Sequence, residues 1–325
     1  MYSFRNDYSE GAHPLILEAL TRTNLEQTIG YGEDPFCQQA REQIAAAIGR
    51  SDADIHFLVG GTQANAVVIK SALRPHQAAV AVESGHINVH ETGAIEATGH
   101  KVVVVPGVHG KMTPEALQKA VNYHCDEHMV QPKLAYISQT TEIGTYYTLK
   151  ELEALRACCD QNNLFLYVDG ARLASALPLP EAPSLKDLGR LADAFYIGGT
   201  KCGALFGEAV VLLNPVLKAD FRYLMKQHGA MLAKGRLMGV QFSRLFQDNL
   251  YTEIGLHENQ MAIALKDGLS ALGIPFLCDS ISNQQFPILE NRWLEPLSQE
   301  FQFEQMQEEC GPGKTCIRLV TSWAT

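Results

Sequence analysis

The stretch DAFYIGGTKCGALFGEAVVLL, residues 193–213, sets two apolar, strand-like runs on either side of a turn that carries Lys201 among Gly198, Gly199 and Gly203. Lysine is almost never buried without a partner, and glycine-rich turns occur where a backbone must approach another group closely. An ammonium in such a loop marks this end of the strand as a place for a ligand. Outward from it the pattern recurs, with apolar runs in DIHFLVGG, AAVAVES, KVVVVP, LAYISQ, LFLYVDG, DAFYIGGT and EAVVLL. Helical segments such as TQANAVVIKSAL, INVHETGAIEAT and LKELEALRACCDQNN lie between them. Continuous apolar strands that alternate with helices predict an α/β fold, a mostly parallel seven-stranded sheet covered on both faces. Helix starts are written in places, as in TPEALQKA, where Thr113 is the N-cap and Pro114 takes the first helical position. Beyond about residue 245 the pattern changes to one helix followed by short strands, in NQQFPILE and TCIRLVTSW, expected to pair antiparallel. The expected division is a large domain with an N-terminal arm over residues 1–245 and a smaller α+β domain over residues 246–325.

The 325 residues are 46% hydrophobic and 19% charged, the balance of a globular chain long enough for a large core. A net charge of −10 argues against nucleic acid or an anionic membrane as a partner. No run of about 18 apolar residues is present, so no membrane span is expected. The polar start MYSFRNDYSEGAHP lacks the apolar core of a signal peptide. The eight cysteines show no metal-ligand or disulfide-framework spacing and are read as reduced thiols of a cytoplasmic protein.

In open α/β sheets, ligands bind beyond the carboxyl ends of the strands. The residues expected there are Gly60, Gly61 and Thr62, His86, Thr141 and Glu142, Asp169 and Arg172, and Lys201. A Gly-Gly-Thr turn between strand and helix directs N–H groups and the positive helix end at an anion. It fits neither the dinucleotide glycine pattern nor the P-loop; an ordinary turn with Thr62 as N-cap is the plain alternative. Asp169 ends a very apolar strand and needs a cationic or N–H partner, and a structural salt bridge to Arg172 is one way to meet that need. A lysine in a partly desolvated pocket has a lowered pKa and can act as an amine nucleophile. An aspartate facing a pyridine nitrogen, a phosphate-holding turn and a Schiff-base lysine together describe a pyridoxal phosphate site.

The chain resembles the low-specificity L-threonine aldolases, a branch of the β-eliminating lyases with the aspartate-aminotransferase-like fold (fold type I of the pyridoxal phosphate enzymes). The resemblance runs from FRND to RLVTSWAT. It is carried by GYGEDP (30–35), GGTQAN (60–65), SGHINVHETGA (84–94), HMVQPKLAYISQTTEIGT (128–145), VDGARL (168–173), TKCGALFG (200–207) and RLVTSW (318–323). It implies a lyase that cleaves β-hydroxy-α-amino acids to glycine and an aldehyde, with pyridoxal 5'-phosphate as cofactor. By the same resemblance Lys201 is the Schiff-base lysine, Asp169 faces the pyridine nitrogen, and Gly61 and Thr62 hold the phosphate. Arg172 lies beside the phenolic oxygen and the substrate carboxylate, and Arg318 binds that carboxylate from the smaller domain. His86 matches the histidine that stacks on the ring, and His128 a second histidine acting on the substrate hydroxyl. Without the resemblance both read equally as ordinary imidazoles. Tyr31 and Glu33 match rim residues at a subunit boundary, or form a plain Gly-rich turn.

Three positions depart from the family pattern. Asn6 replaces a serine expected at the substrate carboxylate, Leu232 replaces an arginine that supports the phosphate, and Cys202 replaces the glycine after the lysine. Lys234 and Arg236 are the cations available to substitute. Apolar Met231, Leu232, Leu237, Met238 and Val240 around them predict that this segment packs at the subunit boundary of a homodimer or homotetramer, a core helix with solvated basic residues being the alternative. A different reaction on the same cofactor, β-elimination or amino transfer, is the second reading. A non-catalytic binding protein is the third, and the joint presence of Lys201, Asp169, Arg172 and Arg318 speaks against it.

Overall fold

Seven strands form the central sheet of the computed structural model, which describes residues 1–325 apart from the side chains of Glu308 and Glu309. They are β1 (Asp54–Leu58), β2 (Gln77–Val82), β3 (Lys101–Val105), β4 (Gln131–Ser138), β5 (Phe165–Asp169), β6 (Ala194–Gly198) and β7 (Glu208–Leu212), in the spatial order β1-β7-β6-β5-β4-β2-β3. The strands from β2 to β6 pair in parallel, and β7 runs antiparallel to both β1 and β6. The reversal follows from chain length. Only residues 199–207 separate β6 from β7, fewer than the dozen or more that a parallel crossover needs. The lysine loop is therefore a hairpin connection, and Lys201 leaves the sheet at the carboxyl end of β6.

Alternation along each strand splits the core into two layers. Val80, Ala135, Val168, Phe195 and Val211 pack on one face against the helices Pro35–Ile48, Leu149–Gln161 and Arg236–Leu245. Tyr136, Tyr167, Tyr196 and Val210 face the other way, against Ala64, Val67 and Val68 of the helix Gly61–Ala72. Tyr136 is the register partner of Tyr167, and Tyr196 stands two residues beyond Ala194, the partner of Tyr167, so the three tyrosines share one face of neighbouring strands. Residues 87–98, read as one helix, form two short ones, His86–Val89 and Ala94–Ala97. Thr92 and Gly93 both take positive φ, 52° and 70°, which breaks the helix and turns Glu91 inward.

After the helix Leu250–Ala271, four short strands pair antiparallel: Gln284–Gln285, Ile288–Glu290, Glu304–Glu309 and Lys314–Val320. The N-terminal arm joins this unit, with Tyr2 and Ser3 pairing Phe301 and Gln302 and the Phe4 carbonyl accepting from the Val320 N–H at 2.8 Å. That docking carries residues 5–10 over the end of the large sheet. Among the described residues, no helix is long and apolar enough to cross a membrane.

The helix Leu250–Ala271 meets the short helix Leu173–Ala176 at Gly255, where a Cβ would lie 1.9 Å from the Ala174 carbonyl oxygen. Nothing but hydrogen fits. Gly255→Ala is expected to lower the unfolding free energy by about 2–3 kcal/mol, read from the urea midpoint at unchanged slope. An unmoved midpoint would show that the contact is absent.

Candidate active site

β5 ends in Asp169, which is 3% exposed. One carboxylate oxygen accepts from the Tyr136 hydroxyl at 2.5 Å and the Asn65 amide at 3.1 Å; the other accepts from the Tyr196 hydroxyl and the Ala171 N–H, the latter at 3.0 Å. Burial would raise this group's pKa, but the positive charge of His86 and the two tyrosine donors hold it below the ordinary carboxylate value. Asp169 is anionic in an almost dry site. Arg172 is not its partner, so the salt bridge open from the sequence does not form.

Asn65 donates to Glu91 as well, at 2.7 Å, and takes the Tyr167 hydroxyl on its own oxygen at 2.9 Å. Glu91 accepts from His86 Nδ1 at 2.8 Å. Burial pulls the His86 pKa down, yet the bond to Glu91 and the charges of Glu142 and Asp169 bring it above the ordinary imidazole value. Asn65 and Glu91 thus connect His86 to Asp169, although neither was singled out from the sequence. Both stand inside the quoted motifs, and Asn65 lies one helical turn beyond Gly61, on the same face.

The helix above Asp169 begins at Gly61, with Gly60, not Thr62, as its N-cap and no side-chain cap. Its first-turn N–H groups are left for an external acceptor. Gly61 has a packing reason too: a Cβ there would stand 3.0 Å from the Tyr196 hydroxyl, so the glycine lets the positive helix end settle beside the aspartate pocket. Thr62 is exposed at this mouth.

Lys201 sits partly buried with its ammonium 6.0 Å from the Tyr8 ring centroid. Burial and the nearby Arg172 charge lower its pKa, against the pull of Asp7, Glu142 and Asp169. Arg172 is buried in a bidentate pair with Asp7, at 2.7 and 3.1 Å, and Asn283 donates to the same carboxylate at 3.0 Å. Burial alone would favour neutral groups, but each partner keeps the other charged: Asp7 is held below, and Arg172 above, its ordinary pKa. The two residues before Lys201 are fastened by Glu208, which accepts from the Gly199 N–H at 3.1 Å and the Thr200 hydroxyl at 2.8 Å. Burial pushes the Glu208 carboxyl up to about 8. Cys202 is buried next to Lys201 in the chain.

His86, Asp169, Arg172 and Lys201 therefore converge, with the Gly61–Thr62 helix start and Glu142 alongside. Arg318 is paired with Glu304, and its buried Nε has no acceptor among the described residues. The Asn6 side-chain oxygen Oδ1 is used locally, accepting from the Tyr8 N–H at 3.0 Å and the Ser9 hydroxyl at 2.9 Å. That turn delivers Asp7 to the site, which the sequence did not single out. His128 does not join His86 within the chain. It is exposed in the turn before β4, and the eight residues of β4, about 26 Å, separate that turn from Ser138, the register partner of Asp169. The motif match carried no information about which end of the strand the histidine occupies.

Arg236 is engaged elsewhere within the chain. Its guanidinium donates to the carbonyls of Thr23 at 2.6 Å and Glu26 at 2.5 Å and lies 4.8 Å from the Phe36 ring centroid, so within the chain it closes the end of the helix Pro14–Thr23. Lys234 is exposed beside a cavity of about 240 Å³ lined by Thr23, Glu26 and Ile29. Glu33 pairs with Arg222 at 2.8 Å.

The sequence profile of the beta-eliminating lyases matches residues 4–290. The chain belongs to the beta-eliminating lyase family. Among family relatives, the low specificity L-threonine aldolase of a Pseudomonas species is 29% identical over 262 residues, 80% of this chain and 75% of that one. That of Pseudomonas aeruginosa is 28% identical, over 81% and 77% of the two chains. The solved structure of a Leishmania major threonine aldolase is 50% identical, with a TM-score of 0.98 over all of this chain and 95% of that one. Aspartate aminotransferase of Thermus thermophilus, 18% identical with a TM-score of 0.72, shares the fold, so this beta-eliminating lyase has the expected aminotransferase-like architecture.

The His86–Glu91 contact in this lyase is directly testable. Replacing the carboxylate by an amide in Glu91→Gln removes the largest of the causes that raise the imidazole's pKa, so the NMR titration midpoint of His86 is expected to move down. A midpoint that stays or rises would contradict the assigned contact.

Proposed function

We propose that this beta-eliminating lyase is a pyridoxal-phosphate-dependent aldolase that cleaves L-threonine or L-allo-threonine-type β-hydroxy-α-amino acids to glycine and an aldehyde. The single observation that carries the reading is the anionic, donor-saturated Asp169 set between an uncapped helix start and the amine of Lys201. These residues fit the cofactor. The open amides at Gly61 and Thr62 suit a phosphate dianion, and Asp169 suits a protonated ring nitrogen. Lys201 has the depressed pKa of an amine nucleophile. Threonine aldolases and aminotransferase-like relatives are pyridoxal phosphate enzymes, in keeping with this fit.

When bound, the cofactor supplies an electron sink for the pair released at Cα. The chain does the rest. Asp169 would keep a proton on the ring nitrogen, and His86, held by Glu91, would lie beside it. Arg172, with Asp7 behind it, and Arg318, paired with Glu304, orient the substrate carboxylate, which decides which Cα bond lies in line to break. Lys201 anchors the cofactor and exchanges protons at Cα. Exposed Leu25, Ile29 and Tyr31 beside the Lys234 cavity support a homodimer or homotetramer, and the unbridged buried thiols of Cys37, Cys159 and Cys202 support a cytoplasmic location.

Protein reconstituted with pyridoxal phosphate is expected to release glycine and acetaldehyde in equal amounts from L-threonine. Lys201→Ala is expected to lose the visible cofactor absorbance and about 10³-fold or more of the rate. Release of ammonia and a keto acid in place of glycine would assign the chain to elimination or amino transfer. An active, yellow Lys201→Ala protein would contradict the role of the lysine.

A further inference from the structure

Carbon–carbon cleavage needs a group that takes the β-hydroxyl proton, and within the chain His128 does not reach the site to do it. The carboxylates around His86, Arg172 and Lys201 can be sorted by their commitments. Asp7 is bound by Arg172 and Asn283, Asp169 by four donors, Glu91 by His86 and Asn65, and Glu208 by the lysine loop. Glu258 lies beneath the site, 2% exposed, beyond a substrate's reach. Glu142 alone remains. It is partly exposed, and among the described residues no donor bonds to its carboxylate. Its charge acts on all three cationic groups of the site, His86, Arg172 and Lys201.

The backbone beneath it is held firmly. The Thr141 N–H donates to the Thr145 carbonyl at 2.8 Å and the Gly144 N–H to the Thr141 carbonyl at 3.0 Å, closing a tight turn. Ser280 and Ser282 donate to the Gly144 carbonyl at 3.0 and 3.1 Å, and Gln284 to the Thr141 carbonyl at 3.2 Å. Gly144, at φ +77°, has no room for a Cβ, which would lie 2.6 Å from the Ser280 hydroxyl. A fixed turn presents a free carboxylate, the arrangement required of a positioned base.

Resting on the aldolase reading above, we propose that Glu142 is the catalytic base that accepts the substrate's β-hydroxyl proton. As that proton moves to Glu142, the O–H pair becomes the second bond of the aldehyde carbonyl. The Cα–Cβ bond breaks with its pair left at Cα, and a proton added at Cα completes glycine, so the atoms of the substrate balance. His86 is the rival, but its bond to Glu91 favours the imidazolium form, which has no lone pair to accept a proton.

The test uses the reconstituted protein. E142Q is expected to cleave L-threonine about 10²–10³-fold more slowly in kcat with little change in KM. Its affinity for pyridoxal phosphate, read by fluorescence titration, and its exchange of the glycine α-proton with deuterated solvent should stay close to the parent's, because glycine has no β-hydroxyl. Added formate should restore part of the cleavage by E142A. Undiminished cleavage by E142Q in an active parent background, or glycine exchange lost in step with cleavage, would overturn the role of Glu142 alone. A parent that releases no aldehyde from any β-hydroxy amino acid would overturn the aldolase reading and this assignment with it.

Discussion

A carboxylate ion held almost without water is the constraint on which the rest of this structure turns. Left alone, such an ion costs several kcal/mol and would simply pick up a proton. Asp169 avoids this through four donors, two of them hydroxyls on the adjacent strands β4 and β6. The strand period puts Tyr136 and Tyr196 on the face that Asp169 shares with Tyr167, so sheet register and pocket electrostatics are one specification. The same face is covered by the helix that contributes Asn65 and starts at Gly61. Satisfying the aspartate therefore also fixes where an anion can bind.

Charge is arranged in opposed pairs around that centre. Asp7 neutralises Arg172 before any substrate arrives, which keeps a buried guanidinium from standing unpaired. Arg318 differs: it is paired at one end and has an unmet donor at Nε. Glu208, bonded to the two residues before Lys201, holds the amine's loop without competing for the amine itself.

The parts of this site that could be read in the sequence are those set by local pattern. The strand ends, the uncapped Gly60–Gly61 helix start and the lysine hairpin follow from periodicity, glycine placement and a loop too short for a crossover. Residues that arrive through tertiary contact could not be read this way. Asp7 comes with an arm that pairs to a strand some three hundred residues later, and Glu91 turns inward only because Thr92 and Gly93 break a helix that periodicity drew as continuous. The tyrosines looked like ordinary apolar strand residues until their hydroxyls met Asp169. His128 and Arg236 are the opposite case, where a matched motif or a nearby charge did not say where the side chain lies within the chain. One lies before its strand rather than after it, and the other spends its donors on Thr23 and Glu26.

The most direct test of the central claim is the protonation state of the ring nitrogen in protein reconstituted with pyridoxal phosphate labelled at that nitrogen, read by solid-state NMR. A buried, ionised Asp169 predicts a protonated nitrogen in the parent and loss of that signal in Asp169→Asn. An unprotonated nitrogen in the parent, or a signal unaffected by the substitution, would contradict the account.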